Sequence, residues 1–199
     1  MRVKSETRRQ AIVASAAEAF RERGFEGASM ADVACRVGGS KATLYSYFAS
    51  KEELFAAVMM QAAKEQAGPI FESLSTAPEL EPALARFARE YLAFALRPEI
   101  LAISRVCVAN GERTGVGKLF YDKGVKVAWA IVAERFERAM GDGVLRRADP
   151  WQAAIHFKGL VEAGLVDRRL RGCGVEIGDA EVEAGAAAAV DVFLRAYRA

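Results

Sequence analysis

Histidine, cysteine and proline are all scarce in this 199-residue chain, and each scarcity removes a class of chemistry or architecture. A single histidine, His156, makes a histidine-rich metal cluster impossible. Neither Cys-x-x-Cys nor His-Glu-x-x-His spacing occurs, so no metal site is expected. The three cysteines, Cys35, Cys107 and Cys173, are an odd number with no close pair, which suits free thiols in a reducing compartment. No apolar run reaches the roughly 18 residues that a membrane span needs. Met1-Arg2-Val3-Lys4-Ser5-Glu6 has no apolar stretch behind its basic residues, so no secretory signal is read there. A cytoplasmic location without a membrane partner is the expectation. There is no Gly-x-Ser-x-Gly elbow. Gly115-Val116-Gly117-Lys118 fails as a phosphate loop, because Glu112 stands where the first glycine belongs and Leu119 replaces the magnesium-binding Ser/Thr. Neither an enzyme nor a cofactor is expected.

What is present is the composition of a folded globule, 52% hydrophobic and 27% charged. Alanine is abundant, alternating β-branched runs are rare, and apolar residues recur at spacings of three and four, which predicts an all-α chain. Gly and Pro divide it into about nine helices: 6–22, stopped at Gly24; 30–37; 41–48; 51–66, broken by Gly68-Pro69; 83–96, after the turn marked by Thr76-Ala77-Pro78 and Pro82; 98 to about 110; 118–140; 150–170, capped by Asp149; and 179–197, capped by Asp179. Gly111–Gly117 reads as a loop, as does the stretch of Gly172-Cys173-Gly174 and Gly178.

The whole net charge of +2 lies in the first 60 residues, which carry nine Lys/Arg and seven Asp/Glu. A basic N-terminus favours a polyanion weakly, and a scatter of surface charge explains it as well. The pattern between Gly24 and Leu54 is more informative. Ser29-Met30-Ala31-Asp32 carries a capping box opening a short helix with Met30, Val33, Ala34 and Val37 on its apolar side. Gly38-Gly39 makes a tight turn, and Ser40 caps a second short helix whose buried side uses Leu44 and Phe48. Two short helices joined by a glycine turn and buttressed by a longer one describe a helix-turn-helix. Its second helix carries Lys41, Thr43, Tyr45, Ser46 and Tyr47 on the remaining face, the hydroxyls and cation that base edges and phosphates call for.

The runs Gly24–Ala34 and Gly39–Leu54, with the core Thr43-Leu44-Tyr45-Ser46-Tyr47-Phe48-Ala49-Ser50-Lys51-Glu52, resemble the N-terminal domain of TetR-family regulators. The resemblance covers about residues 8–60. Gly39 departs from it, since the family more often has Val or Ile after the first glycine. The resemblance implies phosphate contacts from Ser29, Tyr45, Tyr47 and Lys51, and a base-facing set of Ser40, Lys41, Ala42 and Thr43. Arg8 and Arg9, with Arg2 and Lys4 ahead of them, are further candidates for the DNA backbone or minor groove, or are simply solubilising. Residues 98–171 resemble the AefR-like C-terminal type, most clearly over Pro98–Val106. The family then implies a helix-turn-helix DNA-binding domain at 1–50 and a larger helical ligand-binding and dimerisation domain at 51–199.

In that second part, Phe87, Tyr91, Phe94, Cys107, Phe120, Trp129 and His156 are candidates to line an apolar effector pocket, with core packing as the plainer reading. Arg105 and Glu162 are candidate partners of a ligand or of each other. Phe157, Leu160, Gly164, Leu165, Ala186, Ala189, Val190 and Phe193 form the expected dimer interface, a four-helix bundle with small residues at close approaches. The expected function is a ligand-responsive regulator, a repressor in the first instance, binding a palindromic double-stranded operator as a homodimer and released by a small apolar effector. An activator on the same fold and an all-helical adaptor without DNA binding are the alternatives.

Overall fold

The computed structural model describes residues 5–173 and 176–199, excluding the side chains of Asn110, Arg113, Thr114 and Val116; Arg2, Lys4 and Gly174, named above, lie outside the described residues. Among the described residues the chain is helical without a strand: α1 (Glu6–Gly27), α2 (Met30–Arg36), α3 (Lys41–Tyr47), α4 (Lys51–Thr76), α5 (Leu80–Ala95), α6 (Pro98–Thr114), α7 (Val116–Phe120), a π-helical turn (Tyr121–Val125), α8 (Lys126–Gly141), α9 (Pro150–Glu162), α10 (Leu165–Leu170) and α11 (Asp179–Tyr197). Packing divides them into two compact units, residues 1–62 with 106–120, and 63–105 with 121–199.

The first unit closes over Ile12, Ala16 and Phe20 of α1, Val33 of α2, Leu44 of α3 and Leu54 of α4, all buried. These positions recur every three or four residues, which puts them on one side of each helix. Phe20, Phe25 and Phe55 form an aromatic knot, with Phe20 edge-on to Phe55 at 5.0 Å. Ser5 caps α1 by accepting from the Arg8 amide, and Gly24 interrupts the helix at φ 68°, a value that favours glycine.

The second unit is built on α5, whose Leu80, Leu84, Phe87, Tyr91 and Leu92 are all buried. Phe87 stacks on Tyr91 at 5.6 Å, and the Trp129 ring of α8 meets both edge-on. Phe136, Phe157 and Phe193 extend the aromatic core across α8, α9 and α11.

Several element boundaries differ from the sequence expectation for identifiable reasons. The α4 helix does not break at Gly68-Pro69 but runs on to Thr76. An interior proline costs about 3 kcal/mol. Phe71 and Leu74, both buried and two and five residues on, recover roughly 1.5–3 kcal/mol each. The end of α4 is also held by guanidinium donors: Arg86 to the Ser73 carbonyl at 3.4 Å, Arg138 to Ser75 at 2.9 Å and Arg135 to Ala77 at 3.4 Å. Residues 111–117 are not an open loop, because α6 continues to Thr114 and α7 starts at Val116. A Cβ on Gly117 would lie 3.0 Å from the Cys107 carbonyl and 3.1 Å from the Gly111 Cα, so glycine here permits backbone contact between α6 and α7. The stretch 150–170 is two helices, parted where Gly164 takes φ 81°. Gly178, rather than Asp179, is the N-cap of α11.

Candidate nucleic-acid interface

The turn between α2 and α3 is where sequence and geometry agree most closely. Ser29 accepts from the Asp32 amide at 3.2 Å, and Asp32 accepts from the Ser29 amide at 3.1 Å, a complete capping box. The Ser29 hydroxyl donates to the same carboxylate at 2.7 Å, and Arg23 pairs with it at 3.0 Å. Together they hold the Asp32 carboxyl below its ordinary value, the Ser29 hydroxyl hydrogen bond being the largest cause and the Arg23 charge adding to it. Gly38 takes φ 67° in the turn, and the Gly39 amide closes it on the Ala34 carbonyl at 3.0 Å. Ser40 then caps α3 by accepting from the Thr43 amide at 3.1 Å.

On α3, Leu44 is buried while Lys41, Ala42, Thr43, Tyr45 and Ser46 are exposed. Lys41 and Tyr45, the latter 47% exposed, have no hydrogen-bond partner among the described residues. The hydroxyls of Ser40 and Thr43 lie 2.9 Å apart, and that of Ser46 donates to the Thr43 carbonyl. The helix therefore offers a cation, a methyl and hydroxyls on its outer face, the groups that read base edges and hold phosphates.

Three residues expected at phosphates have hydrogen-bond partners within the protein. Lys51 donates to the carbonyls of Phe25, Ala28 and Glu26 at 2.8, 3.3 and 3.4 Å, and its ammonium lies 4.4 Å from the Phe25 ring centroid. It satisfies the carbonyls that the break in α1 leaves open. Ser29 faces the carboxylate of Asp32, which repels an anion. The Tyr47 hydroxyl accepts from the Ser5 amide at 3.2 Å. Of the two arginines at the start of α1, Arg8 donates to the Gly38 carbonyl at 3.1 Å, and the Arg9 guanidinium lies 5.1 Å from the Phe48 ring centroid. Sequence reasoning placed neither against the turn, since no local signal joins positions 30 residues apart.

Residues 12–58 match the family described as bacterial regulatory proteins, tetR family, and residues 82–199 match the AefR-like transcriptional repressor, C-terminal domain. The chain belongs to the TetR family. It is thus a ligand-responsive, DNA-binding transcriptional regulator with a helix-turn-helix. A solved structure described as a TetR-family transcriptional regulator, from Mesorhizobium loti MAFF303099, is 30% identical over 100% of both chains, with a TM-score of 0.81. The flavonoid-responsive regulator FrrA is 30% identical over 98% of both chains, with a TM-score of 0.72. The HTH-type transcriptional activator FasR of Mycolicibacterium smegmatis is 35% identical over 75 residues, 38% of this chain and 34% of that protein. The match thus spans about a third of FasR.

Within this TetR-family chain, the candidate pocket residues are brought together only in part. Phe71, Phe87, Tyr91, Phe94 and Trp129 share the aromatic core of the second unit. Tyr91 donates its hydroxyl to Glu162 at 2.6 Å, and Lys158 pairs with the other oxygen of that carboxylate. Burial and the Glu162 charge push the Tyr91 phenol well above its ordinary value. Cys107 and Phe120 instead belong to the first unit, where burial raises the Cys107 thiol to about 11. His156 is exposed on α9 and bonds the Tyr197 hydroxyl. Two grooves of the second unit, of about 500 and 590 Å³, are lined by none of the seven. Arg105 donates to the carbonyls of Arg169 and Leu170, not to Glu162.

The expected dimer set divides in the same way. Phe157, Ala186, Ala189, Val190 and Phe193 are buried in the core of one chain, because the apolar stripe of α9 and α11 faces α5 and α8. Leu160 and Leu165 are half-buried, and Gly164 is exposed at the break between α9 and α10. Among the residues that α11 leaves outward, Ala184, Ala188 and the 48%-exposed Val192 lie four residues apart on one face.

Proposed function

We propose that this regulator is a repressor that binds a palindromic operator as a homodimer in the cytoplasm and leaves it when a small apolar molecule binds. Residues 1–50 form its DNA-binding domain and 51–199 its ligand-binding and dimerisation domain. The carrying observation is the outward face of α3, where Lys41, Ala42, Thr43 and Tyr45 stand exposed around the buried Leu44. In this reading Ser40, Lys41, Ala42 and Thr43 meet base edges in the major groove, and Tyr45, with Tyr47 beside it on α3, borders the phosphates. Two copies joined by two-fold symmetry would present α3 to half-sites about 34–36 Å apart.

The match of the C-terminal 118 residues to a repressor-type domain supports repression. Activation is the second reading, favoured by the name of FasR, whose match is confined to 75 residues. The core around Phe87, Tyr91, Phe94 and Trp129 supports an effector with an aromatic or apolar body, and FrrA, named as flavonoid-responsive, is consistent with that class. The subunit contact we propose uses the outward faces of α9 and α11, with Leu160, Gly164 and Leu165 retained and Ala184, Ala188 and Val192 added.

A promoter-reporter assay combined with gel-shift titration of the DNA upstream of the chain's own gene tests the reading. Salt-dependent, sequence-preferring binding with reduced transcription supports it. Binding with raised transcription selects the activator, and no sequence preference on any selected duplex rejects the reading helix. Light scattering that gives a monomer at micromolar concentration rejects the dimer.

A further inference from the structure

Two glycines form the turn before α3, and they are there for different reasons. Gly38 has φ 67°, a conformation that side chains rarely adopt. Gly39 has no such requirement, and its amide is fixed by the Ala34 carbonyl. A Cβ at Gly39 would lie 2.8 Å from the Nη2 atom of Arg8, with the next contact, to Val37, at 3.8 Å. That same Nη2 donates to the Gly38 carbonyl at 3.1 Å. The absent side chain of residue 39 is thus the seat of an arginine from α1.

We propose that Arg8 is a positioning residue for DNA reading: seated on Gly39 and bonded to Gly38, it holds the turn that sets where α3 begins. The first turn of α1 also reaches the other end of α3. The Ser5 amide donates to the Tyr47 hydroxyl, and Arg9 covers the Phe48 ring. The reading helix of seven residues is bracketed from both ends by one turn of a neighbouring helix. A short helix has little stiffness of its own against displacement, and base contacts tolerate roughly 0.5 Å of error. A half-buried guanidinium on a backbone carbonyl supplies that restraint. Because its donor points at the protein's own turn, Arg8 acts through α3, and its effect falls on specificity and not on general attraction to phosphate.

The inference rests on α3 being the reading helix, so the test separates the two. The probe is the tightest duplex that the wild-type protein selects from a random pool, compared with a scrambled duplex of equal length. Arg8→Ala is expected to lower the ratio of specific to non-specific affinity by about tenfold, with the salt slope unchanged. Gly39→Ala, whose Cβ displaces the guanidinium, is expected to do the same, and the double variant to be no worse than either alone. Thr43→Ala serves as the control for the reading helix. A reduced ratio with Thr43→Ala and an unchanged ratio with Arg8→Ala overturns the inference alone. An unchanged ratio with both overturns the reading helix and the inference with it. A loss equal on both duplexes, with a salt slope smaller by about one, makes Arg8 a phosphate ligand and also overturns it. Additive losses in the double variant break the link between Arg8 and Gly39. Thermal melting of each variant checks folding, and the Gly39→Ala result decides if Arg8→Ala fails to fold.

Discussion

Lys51 donates to the carbonyl oxygen of Phe25 at 2.8 Å while its ammonium lies 4.4 Å from the ring centroid of the same residue. One side chain thereby closes the open carbonyls at the end of α1 and covers the aromatic knot beneath them. Lys51→Ala is expected to destabilise the first unit by about 1–3 kcal/mol, the range for hydrogen bonds from a charged donor, reduced by partial exposure. Chemical denaturation measures it. The salt slope of DNA binding is expected to match the parent, whereas a phosphate ligand would lower it by about one.

Thr43 carries the opposite expectation. Its side chain is exposed on α3, so Thr43→Ala is expected to leave the melting temperature within a few degrees of the parent. Loss of a base contact would weaken specific binding by about 1–3 kcal/mol and leave non-specific binding alone. Competition gel shifts against single-base variants identify the position it reads.

The Tyr91–Glu162 bond gives a signature at alkaline pH. The folded phenol titrates well above the ordinary tyrosine value of about 10, so its neutral form is favoured by folding. Its contribution is therefore complete below about pH 10 and is lost as pH rises beyond it toward the folded value. Tyr91→Phe is expected to be less stable than the parent at neutral pH, with the difference shrinking through that range. Denaturation midpoints of both proteins between neutral and strongly alkaline pH check this.

At the acidic end the capping box at α2 behaves in the reverse sense. The Asp32 carboxyl is held below 3.8, so its contribution is present above that value and disappears as pH falls toward the folded one. Ser29→Ala removes the largest cause of the depression. The variant is expected to show a flatter stability profile below pH 5, read by circular dichroism at fixed denaturant.

Much of the helix-turn-helix was legible because its signals are local. Ser29, Ser40 and Asp32 announce helix starts within three residues, and Leu44 and Phe48 mark a buried side one turn apart. Other features depended on partners far along the chain. Nothing near Lys51 indicates that its ammonium meets Phe25, and nothing near Pro69 reveals that Phe71 meets the rings of Phe87 and Trp129. Glycines at 111–117 suggested a loop by composition, but Gly117 serves a close backbone approach. For Phe157 and Phe193 the periodicity correctly marked a buried side without saying which neighbour buries it. They pack on each other at 4.9 Å in their own chain.

The three thiols differ in accessibility: Cys35 and Cys173 stand exposed, and Cys107 is partly buried with its proton held to about pH 11. A maleimide dye at neutral pH will thus mark the first two and spare the third. After Cys173→Ser, the remaining fluorophore sits on α2, one helix from α3, and reports duplex docking in a protein otherwise unaltered.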